Sequence, residues 1–78
     1  MTTADRTLDA RNLNCPLPIL KSKRALNDVP VGGILEVLAT DPGSPDDFVA
    51  FCDSTGNELV AQDVDATGAF RFLIRRNR

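Results

Sequence analysis

Residues 31–47 read VGGILEVLATDPGSPDD, and this stretch decides the fold. Val31-Gly32-Gly33 is a turn, and Ile34 to Thr40 is a nearly continuous apolar run, the pattern of a central strand covered on at least one face. Asp41-Pro42-Gly43-Ser44-Pro45 then reads as a rigid turn leading into a helix. Ser44 is placed as its N-cap and Pro45 as its first residue. Asp46 and Asp47 stand where a carboxylate favours the positive end of the helix dipole. A strand that feeds directly into a capped helix is the unit of an alternating β/α chain.

Towards the C-terminus, Phe48, Phe51 and Cys52 form the apolar face of that helix, and Gly56 is its natural C-terminal cap. Two strands follow, Glu58 to Asp65 and Phe70 to Arg76, with Phe70, Phe72 and Ile74 on one face and Ala66-Thr67-Gly68 as the hairpin turn. Towards the N-terminus, a first helix opens at Cys15-Pro16-Leu17-Pro18, since proline is tolerated where amides have no intrahelical partner, and runs to about Asp28, before Pro30. Ile19, Ser22, Ala25 or Leu26, and Val29 make the stripe it buries, while Leu17 and Leu20 point elsewhere. A short strand over Thr7 to Arg11 precedes it. The order is βαβαββ, which predicts an α/β (α+β) two-layer sandwich: a four-stranded mixed sheet with two helices packed on one face.

Seventy-eight residues supply one hydrophobic core, so 1–78 is a single domain with its core over about 7–76. The apolar fraction of 42% and charged fraction of 26% are ordinary globular usage, which excludes a disordered or fibrous chain. Met1 to Arg6 is polar and lacks the apolar core of an export signal, and no apolar run approaches the roughly 20 residues that span a bilayer. The expectation is a cytoplasmic protein with no membrane partner. In that compartment Cys15 and Cys52 are thiols rather than a disulfide. Two cysteines and no histidine leave the chain short of a four-ligand zinc site, so no metal is expected. The missing histidine also removes any Cys-His or Ser-His dyad.

Charge is distributed unevenly. Residues 25–70 carry no Lys or Arg but hold Asp28, Glu36, Asp41, Asp46, Asp47, Asp53, Glu58, Asp63 and Asp65. The bases lie in the flanks: Arg6, Arg11, Lys21, Lys23 and Arg24 before this region, and Arg71, Arg75, Arg76 and Arg78 after it. If the chain ends meet, the domain is two-sided, with a basic face that steers an acidic protein surface or an RNA backbone.

The chemistry falls to Cys15. A helix N-terminus stabilises an anion, and a thiolate there has a lowered pKa. With Cys15 as N-cap and the two prolines in the first turn, the amides of Leu17 and Ile19 are free to face the sulfur. With no base beside it, the fitting reaction is thiol-persulfide exchange, in which the sulfur itself does the work.

Leu8-Asp9-Ala10, Leu13 and Cys15-Pro16-Leu17-Pro18 resemble the N-terminal signature of the TusA/SirA sulfur-carrier family. The resemblance continues through Gly33 to Val37, Thr40-Asp41-Pro42, Asp47, Phe51-Cys52, Gly56 to Leu59 and Phe70 to Arg76. It implies a βαβαββ sandwich whose Cys15 accepts persulfide sulfur from a cysteine desulfurase or a rhodanese-like donor and relays it to an acceptor protein. In this family the onward routes are tRNA 2-thiouridine formation, molybdenum-cofactor biosynthesis and sulfur-compound oxidation. No cofactor is implied beyond the covalent sulfur on Cys15. One departure is Asn12, where the family usually has Gly; Asn is the next residue to accept a left-handed backbone.

Around Cys15, the set Pro16, Leu17, Pro18, Leu20, Lys21 and Arg24 reads as the helix start and a docking patch, with Lys23 beside it. Cys52 reads as a core residue, and Asp46 and Asp47 as dipole partners rather than a catalytic pair. Two other functions compete. A regulatory module binding RNA or protein would use the basic flanks, but direct nucleic-acid binding is not expected of a chain with no Trp or Tyr and four core-facing Phe. A redox protein cycling a Cys15–Cys52 disulfide is disfavoured by the absence of a CxxC spacing.

Overall fold

The computed structural model describes residues 4–78; of the polar opening read at Met1 to Arg6, Met1, Thr2 and Thr3 lie outside the described residues. The elements are β1 (Arg6–Ala10), α1 (Leu17–Leu26), β2 (Ile34–Ala39), α2 (Ser44–Thr55), β3 (Glu58–Val64) and β4 (Phe70–Arg75). They build one four-stranded sheet in the order β1-β2-β4-β3. β1 runs parallel to β2, and β4 runs antiparallel to both β2 and β3, so the sheet is mixed as the βαβαββ pattern predicts.

The apolar run of β2 is covered on one face. Leu35, Val37 and Ala39 are fully buried, whereas Glu36 and Leu38, on the opposite face, are only part-buried. This is the period-2 alternation of a strand whose second face is open. The helices cover the first face, α1 against β1 and β2, and α2 against β3 and β4. Between the layers lie Ala25, Leu26 and Val29 from the first helical stretch, Phe48, Phe51 and Cys52 from α2, and Phe72 and Ile74 from β4. Phe48 stacks on Phe72 with ring centroids 4.4 Å apart and meets Phe51 edge-on at 6.3 Å, both favoured aromatic geometries. The stripe predicted for α1 is the one buried, with Ile19 half-covered.

Element ends differ from the reading by a residue or two. α1 stops at Leu26 rather than near Asp28, the amides of Asn27, Asp28 and Val29 each turning back to a carbonyl three residues earlier. β1 ends at Ala10, because the chain turns at Arg11 and Asn12. Asn12 takes φ 65°, so the left-handed residue expected there is present. Ser44 is not the N-cap of α2. Gly43 is, and Ser44 lies inside the first turn, buried, its hydroxyl without a hydrogen-bond partner among the described residues. The turn is tied instead by Asp41, whose Oδ2 accepts the Gly43 amide at 3.1 Å and whose carbonyl accepts that of Ser44 at 3.0 Å. Gly56 closes α2 in the left-handed conformation, φ 77°, as read.

The two-sided charge distribution is corrected by the ion pairs. Arg6 meets Asp28 at 2.8 Å, Arg71 meets both Glu36 and Asp63, and Arg75 meets Glu58 at 3.1 Å. Strand pairing therefore sets flank bases against the acids of the middle region. Arg76 donates to the Val29 carbonyl at 2.7 Å. The bases without an ion-pair partner among the described residues are Lys21, Lys23 and Arg24 on α1 and Arg76 and Arg78 beyond β4. The two ends of the chain do meet beside β2, the Asp5 amide donating to the Ile34 carbonyl and the Gly32 amide to that of Arg76.

Candidate functional site at the start of the first helix

The parallel pairing of β1 with β2 places the carboxyl ends of both strands, and so the N-terminal ends of α1 and α2, along one edge of the sheet. Loops that leave such an edge side by side are where α/β proteins assemble their sites. Here they are stitched together, the Asn12 amide donating to Thr40 Oγ1 at 2.8 Å. Cys15 sits in the first of these loops and is exposed. The Cys15–Pro16 peptide bond is cis.

The helix start departs from the reading by one residue. Pro16, not Cys15, is the N-cap. Leu17 donates its amide to the Asn14 carbonyl at 2.8 Å, so of the two amides expected to face the sulfur only Ile19 lacks a backbone acceptor among the described residues. The expected lowering of the thiol pKa is overturned in direction. The Cys15 thiol is raised above its ordinary value, first by the hydrogen bond to the Asp47 carboxylate, then by desolvation, then by the negative charges of Asp47 and Asp41. The two carboxylates act on the thiol in the direction opposite to that expected of a helix terminus. Asp47 still lies in the first turn of α2, as its dipole role requires, and its carboxylate also acts on the thiol, which the sequence reading missed.

Downstream of Cys15, Leu17 and Leu20 are 44% and 51% exposed, so they do not widen the buried face. With Lys21, Lys23, Arg24 and Asn27 they line a shallow groove of about 450 Å³ on the outer side of α1. Of the predicted docking set, Leu17, Leu20, Lys21 and Arg24 come together in this groove, whereas Pro16, the N-cap of α1, and Pro18 do not line it. Pro18 is buried, and its carbonyl accepts the Ser22 hydroxyl at 2.7 Å.

Cys52 is 4% exposed among the core residues, and burial pushes its thiol up to about 11. It packs in the core, where the sequence reading placed it. Phe48, Phe51 and Phe72 are buried and Phe70 is part-buried, which leaves little aromatic surface for stacking on bases. No helix among the described residues is long and apolar enough to cross a membrane.

The chain is similar to known proteins in sequence and in fold. Residues 6–76 match the family model for the sulfurtransferase TusA. The chain is 51% identical over 77 residues to the sulfur carrier protein TusA of Allochromatium vinosum, covering 99% of this chain and 100% of that one. It is 49% identical over 70 residues to a putative sulfur carrier protein of Neisseria meningitidis serogroup A, covering 88% and 92% of the two chains. The crystal structure of a SirA-like protein from Desulfitobacterium hafniense superimposes with a TM-score of 0.77 at 24% identity, over 88% of this chain and 93% of that one, and so shares the fold. With the family model matched across nearly the whole domain and half the residues shared with a full-length relative, this chain belongs to the TusA sulfurtransferase family.

Proposed function

We propose that this protein is a sulfur carrier that holds one transferable sulfur as a persulfide on Cys15. The observation that carries the reading is an exposed thiol at the head of α1, next to an apolar groove bordered by cations, in a domain with no other accessible thiol. Loading is an exchange between sulfurs. The Cys15 thiolate bonds to the outer sulfur of a donor persulfide, the donor's S–S bond breaks, and its electron pair stays on the donor thiolate. Unloading repeats the step with Cys15 as the leaving thiolate. Sulfur is neither oxidised nor reduced overall, and neither metal nor cofactor enters these steps.

Each step needs a partner whose own reacting sulfur reaches Cys15. We assign loading to a cysteine desulfurase or a rhodanese-like protein and unloading to a downstream relay protein. The onward route is tRNA 2-thiouridine formation, molybdenum-cofactor biosynthesis or sulfur-compound oxidation, all in the cytoplasm. Leu17 and Leu20 supply the apolar contact, and Lys21 and Arg24, with Lys23, the attraction for an acidic rim. Pro16 fixes the backbone that presents the thiol.

The test is intact-protein mass spectrometry after incubation with a desulfurase plus cysteine, and separately with a rhodanese plus thiosulfate. Wild type and Cys52→Ser are expected to gain one reducible sulfur and Cys15→Ser none. A Cys15→Ser variant that loads at the wild-type rate overturns the assignment.

A further inference from the structure

The two edges of the sheet differ. β3, at one edge, carries a register shift between Leu59 and Ala61, a bulge that turns an edge strand away from further pairing. β1, at the other, pairs with β2 through five residues without a shift, contains no proline, and has no strand on its outer side among the described residues. Alternate amides and carbonyls of such an edge point outward, without strand partners. Arg6, Thr7 and Asp9 are exposed and Leu8 is part-buried, so the strand is open along most of its length. Beside it lies a groove of about 180 Å³ lined by Arg6, Leu8, Lys21, Arg24, Ala25 and Asp28. Arg6 and Asp28 satisfy each other at 2.8 Å, whereas Lys21 and Arg24, one turn apart on α1, are exposed and have no ion-pair partner among the described residues. A strand added to β1 lies about 4.8 Å from it and turns every second side chain towards the helix layer. Arg6, Leu8 and Ala10 already point that way, being paired with the buried face of β2.

We propose that β1 is a docking strand: an acidic, extended segment of a partner protein adds beside it as a fifth strand, with alternate carboxylates against Lys21 and Arg24. The charge of the groove selects an acidic segment, since its two uncompensated groups are both cations. The edge selects a protein. Its outward amides and carbonyls ask for acceptors and donors together, which a peptide backbone supplies and a phosphate backbone does not. A second copy of this chain is the wrong occupant, because antiparallel pairing of β1 with itself sets Arg6, Lys21 and Arg24 against their own like. β1 leads into the loop that holds Cys15, so a segment seated along it points one end towards the edge of the sheet from which the thiol is presented. The use of the strand in delivering sulfur rests on the carrier reading; the pairing itself does not.

The experiment is an amide NMR titration of the full chain with a capped Thr-Glu-Val-Glu-Val-Glu-Thr peptide up to millimolar concentration. The amides of Arg6 to Ala10 and of Lys21 and Arg24 are expected to shift and those of β3 to stay in place. The Lys counterpart of the peptide is expected to move none of them, and the acidic peptide N-methylated throughout, which keeps its charge and loses its donors, is expected not to bind β1. Folded Lys21→Ala combined with Arg24→Ala should bind the acidic peptide about tenfold more weakly at low salt. Amides of β1 that stay in place, or that respond equally to the N-methylated peptide or to an oligouridylate, overturn the docking strand. Shifts in β1 that appear instead as the free protein is concentrated assign the edge to a second copy and overturn it too. Sulfur loading of wild type without peptide separates the two readings. Loading without peptide-induced shifts in β1 removes the docking strand and keeps the carrier, whereas those shifts without loading from either donor keep the strand and remove the carrier.

Discussion

The two cysteines show how far burial alone separates residues of one type. Cys15 is exposed between loops, and Cys52 is sealed under Phe48 and Phe51, its thiol raised from 9.0 to about 11 by desolvation. An acid that ionises less readily when folded stabilises the fold fully below its unfolded pKa, and the contribution is lost as pH rises through the folded value. For Cys52 that window runs from about 9 to about 11. Thermal melts across it should therefore show a decline that is shallower in Cys52→Ala, while sulfur loading of that variant stays intact. Identical declines would mean that Cys52 ionises equally well in both states. Asn12 offers a second residue-scale test, because it holds φ 65° with an ordinary side chain. Asn12→Gly should be neutral or slightly stabilising in urea unfolding, and Asn12→Val should lose about 1–2 kcal/mol, the cost of forcing a left-handed backbone on a side chain that resists it. Cys15, Asn12 and Cys52 were legible because each carries its meaning locally, in a proline-marked turn, a backbone preference or an apolar stripe. Asp47 was not. Its effect on the Cys15 thiol depends on two loops meeting beyond the ends of β1 and β2, and nothing in the spacing of one loop reports the other.

At the scale of elements, punctuation did most of the reading. Gly32-Gly33, Pro42-Gly43, Gly56 and Gly68 separate the segments, and periods of 2 and 3.6 residues assign what lies between. Gly33 shows why such marks are firm: a β-carbon there would meet Val29 Cγ1 at 2.7 Å and the Pro30 carbonyl oxygen at 2.9 Å. Helix caps were less legible. Ser44 and Gly43 compete for one position, and the contest goes to Gly43 because the Asp41 carboxylate already binds its amide. At the head of α1 the same uncertainty decided the chemistry, since moving the cap from Cys15 to Pro16 gives the Leu17 amide to Asn14. The outer face of α1 is an element-scale device with its own test. Lys21→Glu combined with Arg24→Glu should slow loading from an acidic donor by about tenfold at low salt and much less at high salt, as steering by surface charge requires. Melting should be unchanged, because both side chains are exposed and unpaired among the described residues. A loss of rate that persists at high salt would place the two residues in packing rather than attraction.

For the whole molecule, charge balance followed strand order and so escaped a reading along the chain. Glu36 looks misplaced within ILEVLA, yet on the open face of the sheet it accepts from the Thr7 hydroxyl of β1 and from Arg71 of β4. That row crosses three neighbouring strands and exists only when all three are in register. The same order has a consequence for biosynthesis. β4, which follows the domain's other elements in the chain, lies between β2 and β3, so a nascent chain that stops after α2 has β2 without its antiparallel neighbour and the core without Phe72 and Ile74. Domains of this size fold as one cooperative unit. The Cys15 loop is anchored through Thr40 at the end of β2, a strand that is flanked on both sides only once β4 has been made. The setting of the thiol is thus completed last, although Cys15 precedes five of the domain's six elements.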